Sequence, residues 1–171
     1  MILTACQPTL PAAPTRVAGV LVEPASDLEA SCRELLARKD WLPCPTLLPN
    51  PQHVQVRSLA DTREFFGVEL VLGAPSEAYA PRQRPDGFPH FAIVDADSGL
   101  GRPAMGRRLQ DEVIGGREGT LFLDETTEGF HKDHLVFIWQ EGEHRISASL
   151  HTWDRLEEAK RMLAALVSGL R

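Results

Sequence analysis

The residues best suited to do chemistry in this 171-residue chain are its six histidines and three cysteines. His131-x-x-His134 brings two imidazoles close together, with Lys132 and Asp133 between them. Neutral imidazole is the commonest transition-metal ligand, and with His151 drawn alongside, three such groups could hold Zn²⁺ and leave one coordination position open. The spacing is not the two-His, one-Glu helical signature of a zinc protease, and Lys132 sets a positive charge beside the ion. The competing reading of His131, His134 and His151 is therefore a set of hydrogen-bonding or solvated strand-end side chains. His144 belongs to a turn and is expected to be exposed, while His53 and His90 have no place relative to the others.

The cysteines sort differently. Leu3-Thr4-Ala5-Cys6 resembles a bacterial lipobox, in which small residues before Cys let a signal peptidase cut and leave Cys6 for acylation. A working signal also needs a charged and an apolar region ahead of the motif, so the expectation is that the start at Met1 is truncated or misassigned. The Pro-rich stretch from Pro8 to Thr15 reads as an extended tether, giving a division into 1–15 and a single domain over 16–171. Cys32 and Cys44 remain as a pair. Cys32 sits in an expected helix and the chain can return from Lys39 to Cys44 over about 16 Å at ~3.3 Å per residue, so a disulfide is sterically permitted. Two buried thiols are the alternative.

Other short motifs fail on context. Asp97-Ser98-Gly99 matches the triplet of aspartic proteases, but the chain has one copy where two carboxylates must meet, and a Ser-Gly turn accounts for it. Asp95-x-Asp97-x-Gly99 has Gly where a calcium loop needs a ligand and Gly106 where it needs a bidentate Glu. Gly115-Gly116-x-x-Gly119 leads into Thr120–Leu123, a strand, where a phosphate loop would need a helix. There is no Gly-x-Ser-x-Gly elbow, and no Cys has a nucleophile's setting. Arg102, Arg107, Arg108 and Arg117 form a locally basic region that could meet anionic lipid, a solvated loop being the simpler account.

Composition bounds the rest. The chain is 43% hydrophobic and 25% charged, with net charge -6, values of a soluble globular protein. A nucleic-acid partner is excluded as an expectation, because phosphate neutralisation needs clustered Lys and Arg in excess. No run approaches the roughly eighteen apolar residues of a spanning helix.

The elements that must position these residues follow from pattern. Arg16 to Val22 reads as a strand, and Pro24 with the capping box Ser26-x-x-Glu29 opens a helix whose Leu28, Cys32, Leu35 and Leu36 share one face. Trp41 to Pro51 holds four prolines and reads as irregular. Strands are expected at His53–Arg57, Val68–Leu72, Phe91–Val94, Glu112–Ile114 and Thr120–Leu123, with a helical turn between Asp61 and Phe66 and a loop from Ser98 to Arg108. The strongest signal is Leu135 to His151. With Gly142-Glu143 as a two-residue turn, Trp139 opposes Ile146, Phe137 opposes Ala148, Leu135 opposes Leu150, and His134 opposes His151. One face is then apolar and the other, with Val136, Ile138, Ser147 and Ser149, turns away from the core. A second capping box, Asp154-x-x-Glu157, begins a closing helix striped by Leu156, Ala159, Leu163, Leu166, Val167 and Leu170 and ended by Gly169. The expected fold class is α+β, an antiparallel sheet with helices packed on one side.

The block Gly129–Trp139, continuing through Gly142 and Ser149-Leu150-His151-Thr152-Trp153, resembles uncharacterised lipoproteins and secreted proteins of high-GC bacteria, as do Cys44-Pro45, Leu47-Leu48-Pro49 and Leu59–Leu72. The resemblance covers about two-thirds of the chain and implies an extracytoplasmic α+β domain of unknown function, without catalytic residues. The combined expectation is a non-enzymatic binding or interaction module of the cell envelope. It is held to the membrane through a lipid on Cys6 and meets an unidentified envelope ligand or protein. The alternatives are a zinc-binding protein or metal-dependent enzyme using His131, His134 and His151, and, for location, a cytoplasmic protein with free thiols.

Overall fold

The structure is a computed structural model that describes residues 14–37, 39–49, 54–61, 66–72, 90–97, 106–125, 133–152 and 155–171. Cys6, most of the Pro-rich stretch, His53, the Ser98-Gly99 pair, Arg102, His131 and Asp154 lie outside the described residues. The fold is α+β and mostly sheet, as expected. A three-stranded sheet has the order β1-β2-β3, and a seven-stranded sheet has the order β4-β5-β6-β10-β9-β8-β7. Every pairing in both is antiparallel.

The small sheet begins where a single strand was expected. Thr15–Val17 (β1) and Val20–Pro24 (β2) form a hairpin, because Ala18 and Gly19 both adopt positive φ, +49° and +83°. Two consecutive residues in the left-handed region are what a tight hairpin turn requires. Helix α1 spans Ser26–Leu35, with Ala25 as N-cap and no side-chain cap, so the Ser26/Glu29 box is not formed. Its apolar face is the expected one, carrying Cys32 and Leu36 into the core with Leu28 and Leu35 at the edge. Among its described residues the proline-rich segment contributes the two-residue β3, Leu47–Leu48, and a bridge from Pro45 to Leu170.

In the large sheet, β4 (Val54–Asp61) and β5 (Phe66–Leu72) pair directly, with Asp61 opposite Phe66. Residues 62–65, where a helical turn was expected, lie outside the described residues. Strand β6 is His90–Asp95. Strand β7, Arg107–Ile114, runs five residues further back than expected, so Arg107 and Arg108 belong to a strand. It returns through Gly115-Gly116, at φ +58° and +82°, into β8, Arg117–Asp124. These glycines serve a turn, as expected.

Strands β9 (His134–Glu141) and β10 (His144–His151) hold the expected register in full, from Trp139 opposite Ile146 to His134 opposite His151. Gly142 sits at φ +60° in the turn. What differs is burial. The second face, expected to turn outward, is buried as well: Val136, Ser147 and Ser149 are inaccessible and Ile138 nearly so. Val136 and Ile138 join Ala96 in a second, smaller apolar cluster on this face, with Phe122 of β8 packed against it.

Helix α2, Leu156–Ser168, lies on the opposite face. Its stripe of Ala159, Met162, Leu163, Leu166 and Val167 joins Phe91, Ile93, Phe137, Trp139, Ile146 and Leu150 in one core cluster with Cys32 of α1 and its C-cap Leu36. Burial of each Leu, Val or Phe side chain contributes about 1.5–3 kcal/mol, enough to explain why a thirteen-residue helix holds here. Arg155 is the N-cap and makes no side-chain cap. Gly169 ends the helix, but at φ -85°, so conformational freedom is not the reason. A Cβ there would stand 2.6 Å from the Leu47 carbonyl oxygen, and only glycine lets β3 come that close.

Candidate functional site

The candidate site is a row of polar side chains that the sheet register carries to one end of its second face. β8 ends at Asp124, β9 begins at His134 and β10 ends at His151, and the ladders place these three side by side. Cross-strand neighbours on one face have Cβ atoms about 5 Å apart. His134 and Asp124 are each 1% exposed, and His151 is half-buried. The imidazoles of His134 and His151 touch, with ring centroids 3.9 Å apart and planes tilted by 40°. By the same register, His90 begins β6 one residue before Phe91, which pairs with Leu150, so its backbone lines up with that of His151.

A latch fixes this end of the hairpin. Asp133 enters β9 at φ +56°, in the left-handed region that Asp tolerates better than most residues. Its carboxylate Oδ1 accepts from the Thr152 hydroxyl at 2.7 Å, and its carbonyl accepts from the Thr152 amide at 2.9 Å. Two bonds between the residues just outside the His134/His151 pair hold the two rings in register. One pair further along the same face, Ser149 opposes Val136. The hydroxyls of Ser147 and Ser149 are buried and have no hydrogen-bond partner among the described residues.

The structure thus brings together two of the three histidines singled out for a metal. Their rings meet through their faces, whereas an imidazole's lone pair lies in its plane. Among the described residues no three His, Cys, Asp or Glu side chains are arranged to hold a metal ion. His144, at the other end of the hairpin, is exposed as expected and stacks on Trp41, with centroids 3.9 Å apart and planes at 10°. Lys39 reaches over the same Trp41 ring and pairs with Asp95 at 3.6 Å.

Cys32 and Cys44 form a disulfide, with Cα atoms 5.9 Å apart and both residues inaccessible to solvent. It anchors α1 to the strand segment that grips the C-terminus. The Cys44 amide donates to the Arg171 carbonyl and the Arg171 amide returns a bond to Cys44, each at 2.8 Å. The Thr46 amide and hydroxyl both donate to the Gly169 carbonyl, each at 2.7 Å. Arg33 of α1 donates to the Leu42 carbonyl at 3.3 Å and to that of Arg171.

Arg102 lies outside the described residues, and Arg107, Arg108 and Arg117 each have an acidic partner within the chain. Arg107 pairs with Glu125 and Arg108 with Asp111. Arg117 is only 15% exposed on its side chain and donates from Nη1 to the Val167 carbonyl, from Nη2 to the Leu170 carbonyl and from Nε to Glu141. A strand residue therefore supplies the positive group that α2, with no basic residue in its last turn, lacks at its C-terminus. Asp124 was missed in the sequence, although pairing Thr120–Leu123 against the hairpin would have set it beside His134, whereas Ser149 was placed on this face and expected to turn outward. Compared with known proteins, the chain matches no family model, no curated protein and no solved structure.

Proposed function

We propose that this chain is an extracytoplasmic, lipid-anchored protein of the cell envelope that acts as a non-enzymatic binding or interaction module, with Cys6 as the acylated residue. One observation carries the location: the Cys32–Cys44 disulfide inside the core. Reducing compartments keep such thiols apart, and in an oxidising one a bridge closing a loop of this size stabilises the fold by about 3 kcal/mol. The lipobox-like Leu3–Cys6 and the tether to Thr15 agree with that location. Burial of Asp124 and His134 supports an architectural role for the polar row and leaves binding to the surfaces of the domain.

The test is expression from the native upstream DNA with labelled palmitate. Label in the membrane fraction, lost in Cys6→Ser, together with the mass deficit of one disulfide in the non-reduced protein, is the expected result. Unlabelled protein recovered from cytosol with its thiols free would remove the proposal.

A second reading is motivated by the juxtaposition of His134 and His151: with His131, three residues before His134, they would bind zinc. Calorimetric titration with Zn²⁺ at neutral pH decides it. Stoichiometric heat that is lost in His151→Ala supports the site, and a flat titration ends it.

A further inference from the structure

Strand β7 closes one edge of the seven-stranded sheet, and among the described residues nothing pairs with its outer side. Its exposure is high, with Val113 at 63%. The edge has a pattern that comes from one irregularity. Ile114 and Arg117 flank the two-residue turn, so Ile114, Glu112 and Gln110 direct their backbone groups toward β8. Between Arg108 and Gln110 the register shifts by one residue at Leu109. Beyond this bulge it is Arg107 that faces β8, opposite Leu123. The outward-directed backbone groups are those of Gly106, Arg108, Asp111 and Val113. That series reads the same in both directions about a point between Leu109 and Gln110.

Side chains follow the same symmetry. Arg107 pairs with Leu123 and Glu112 with Gly119, which share one sheet face, while Arg108 pairs with Phe122 and Asp111 with Thr120 on the other. In a regular strand, residues an odd number apart point to opposite faces, so the bulge is what places each Arg on the side of its matching acid.

We propose that β7 is a self-association edge, at which two copies of the chain pair antiparallel about a two-fold axis centred between Leu109 and Gln110. Arg108 then faces Asp111 of the second copy, Arg107 faces Glu112 of the second copy, and Val113 faces Gly106, each twice by symmetry. Each outward residue meets one whose backbone is also outward, so the ladder hydrogen bonds form in register. Charged edge strands usually repel a neighbour. Here the charges are complementary under the two-fold and face opposite signs throughout. Within one chain the Asp111 carboxyl is already held below the ordinary carboxylate range by the Thr120 hydroxyl and by Arg108, so it stays charged for its second partner. A pair of eight-residue strands buries less than a standard interface, so the dimer is weak.

Sedimentation of the full chain over concentrations up to about 1 mM at low salt tests this. The expected result is a monomer–dimer equilibrium weakened at least tenfold by Arg108→Glu, restored by Arg108→Glu with Asp111→Arg, and lost in Val113→Pro. That proline removes only an outward N–H. Amide exchange in the wild type gives a readout that needs no variant: the amides of Arg108, Asp111 and Val113 slow with concentration, while those of Gln110 and Glu112 do not. A monomer throughout the range, or a dimer that tolerates both Arg108→Glu and Val113→Pro, overturns the proposal.

Discussion

The two faces of the large sheet are built from the same strands by simple alternation, yet they are filled in opposite ways. Toward α2, β6, β9 and β10 present Phe91, Ile93, Phe137, Trp139, Ile146 and Leu150, and the helix closes over them with Leu163 and Leu166. Toward the other side the same strands present Ala92, Val94, Val136, Ser147, Ser149 and His134. Both sets are buried. The first face gains stability through volume and dispersion contacts, whereas the second holds small and polar groups whose burial contributes little or costs energy. The apolar face toward α2 thus carries most of the stabilisation of this ladder. The sharpest way to break that contrast is Phe137→Ala or Leu163→Ala. Each should lower unfolding free energy by about 3–5 kcal/mol in urea titrations, because a cavity opens between sheet and helix. A loss below about 1 kcal/mol would mean that the helix face does not dominate.

Two further changes sharpen the same contrast, since both act on how α2 is held to its face. Replacing Cys32 and Cys44 together by Ala should cost about 3 kcal/mol and lower the melting temperature in oxidising buffer, with no further loss on adding reductant. The wild type in reductant and denaturant should approach the double variant. Arg117→Met keeps the contact with Trp139, whose ring lies 5.7 Å from the guanidinium carbon, but takes the Arg117 donor from the Leu170 carbonyl and leaves the Val167 carbonyl with the Leu170 amide alone. An expected loss of about 1–2 kcal/mol follows from a part-buried acceptor left unsatisfied. Faster amide exchange should be confined to the last turn of α2 and residues 44–46.

Legibility in the sequence tracked the strength of local constraint. The β9–β10 register was readable because a glycine turn and an alternating pattern gave one answer, and His134 opposite His151 came with it. The burial of Ser147 and Ser149 was not readable, because it depends on what packs over their face, which no alternation within the hairpin encodes. The β1–β2 hairpin was hidden by an Ala at positive φ, a position the sequence normally marks with Gly or Asn. The Ser26 capping box misled for a related reason, since a Ser-x-x-Glu pattern states a capacity that the chain entry can forgo. The full length of β7 was obscured by charged residues, which is how an edge strand departs from alternation. Within the candidate site, the histidine pair was legible and Asp124 was not, because Asp124 needs the non-local β8–β9 ladder to reach it.

The smallest expected effect tests the second face most directly. Ser149→Ala removes a buried hydroxyl that makes no hydrogen bond to the described residues and leaves a methyl group of nearly the same volume. If that face is only a packing surface, the variant should be neutral or more stable by up to about 1 kcal/mol, as for any buried polar group whose partner is lacking. Ser147→Ala should behave in the same way. Thermal unfolding of the two variants, followed by circular dichroism, measures the sign. A loss of about 2 kcal/mol or more at either position would show that the hydroxyl is engaged in the native protein. The polar filling of that face would then be a binding arrangement, and the division of labour between the two faces would become one between stability and recognition.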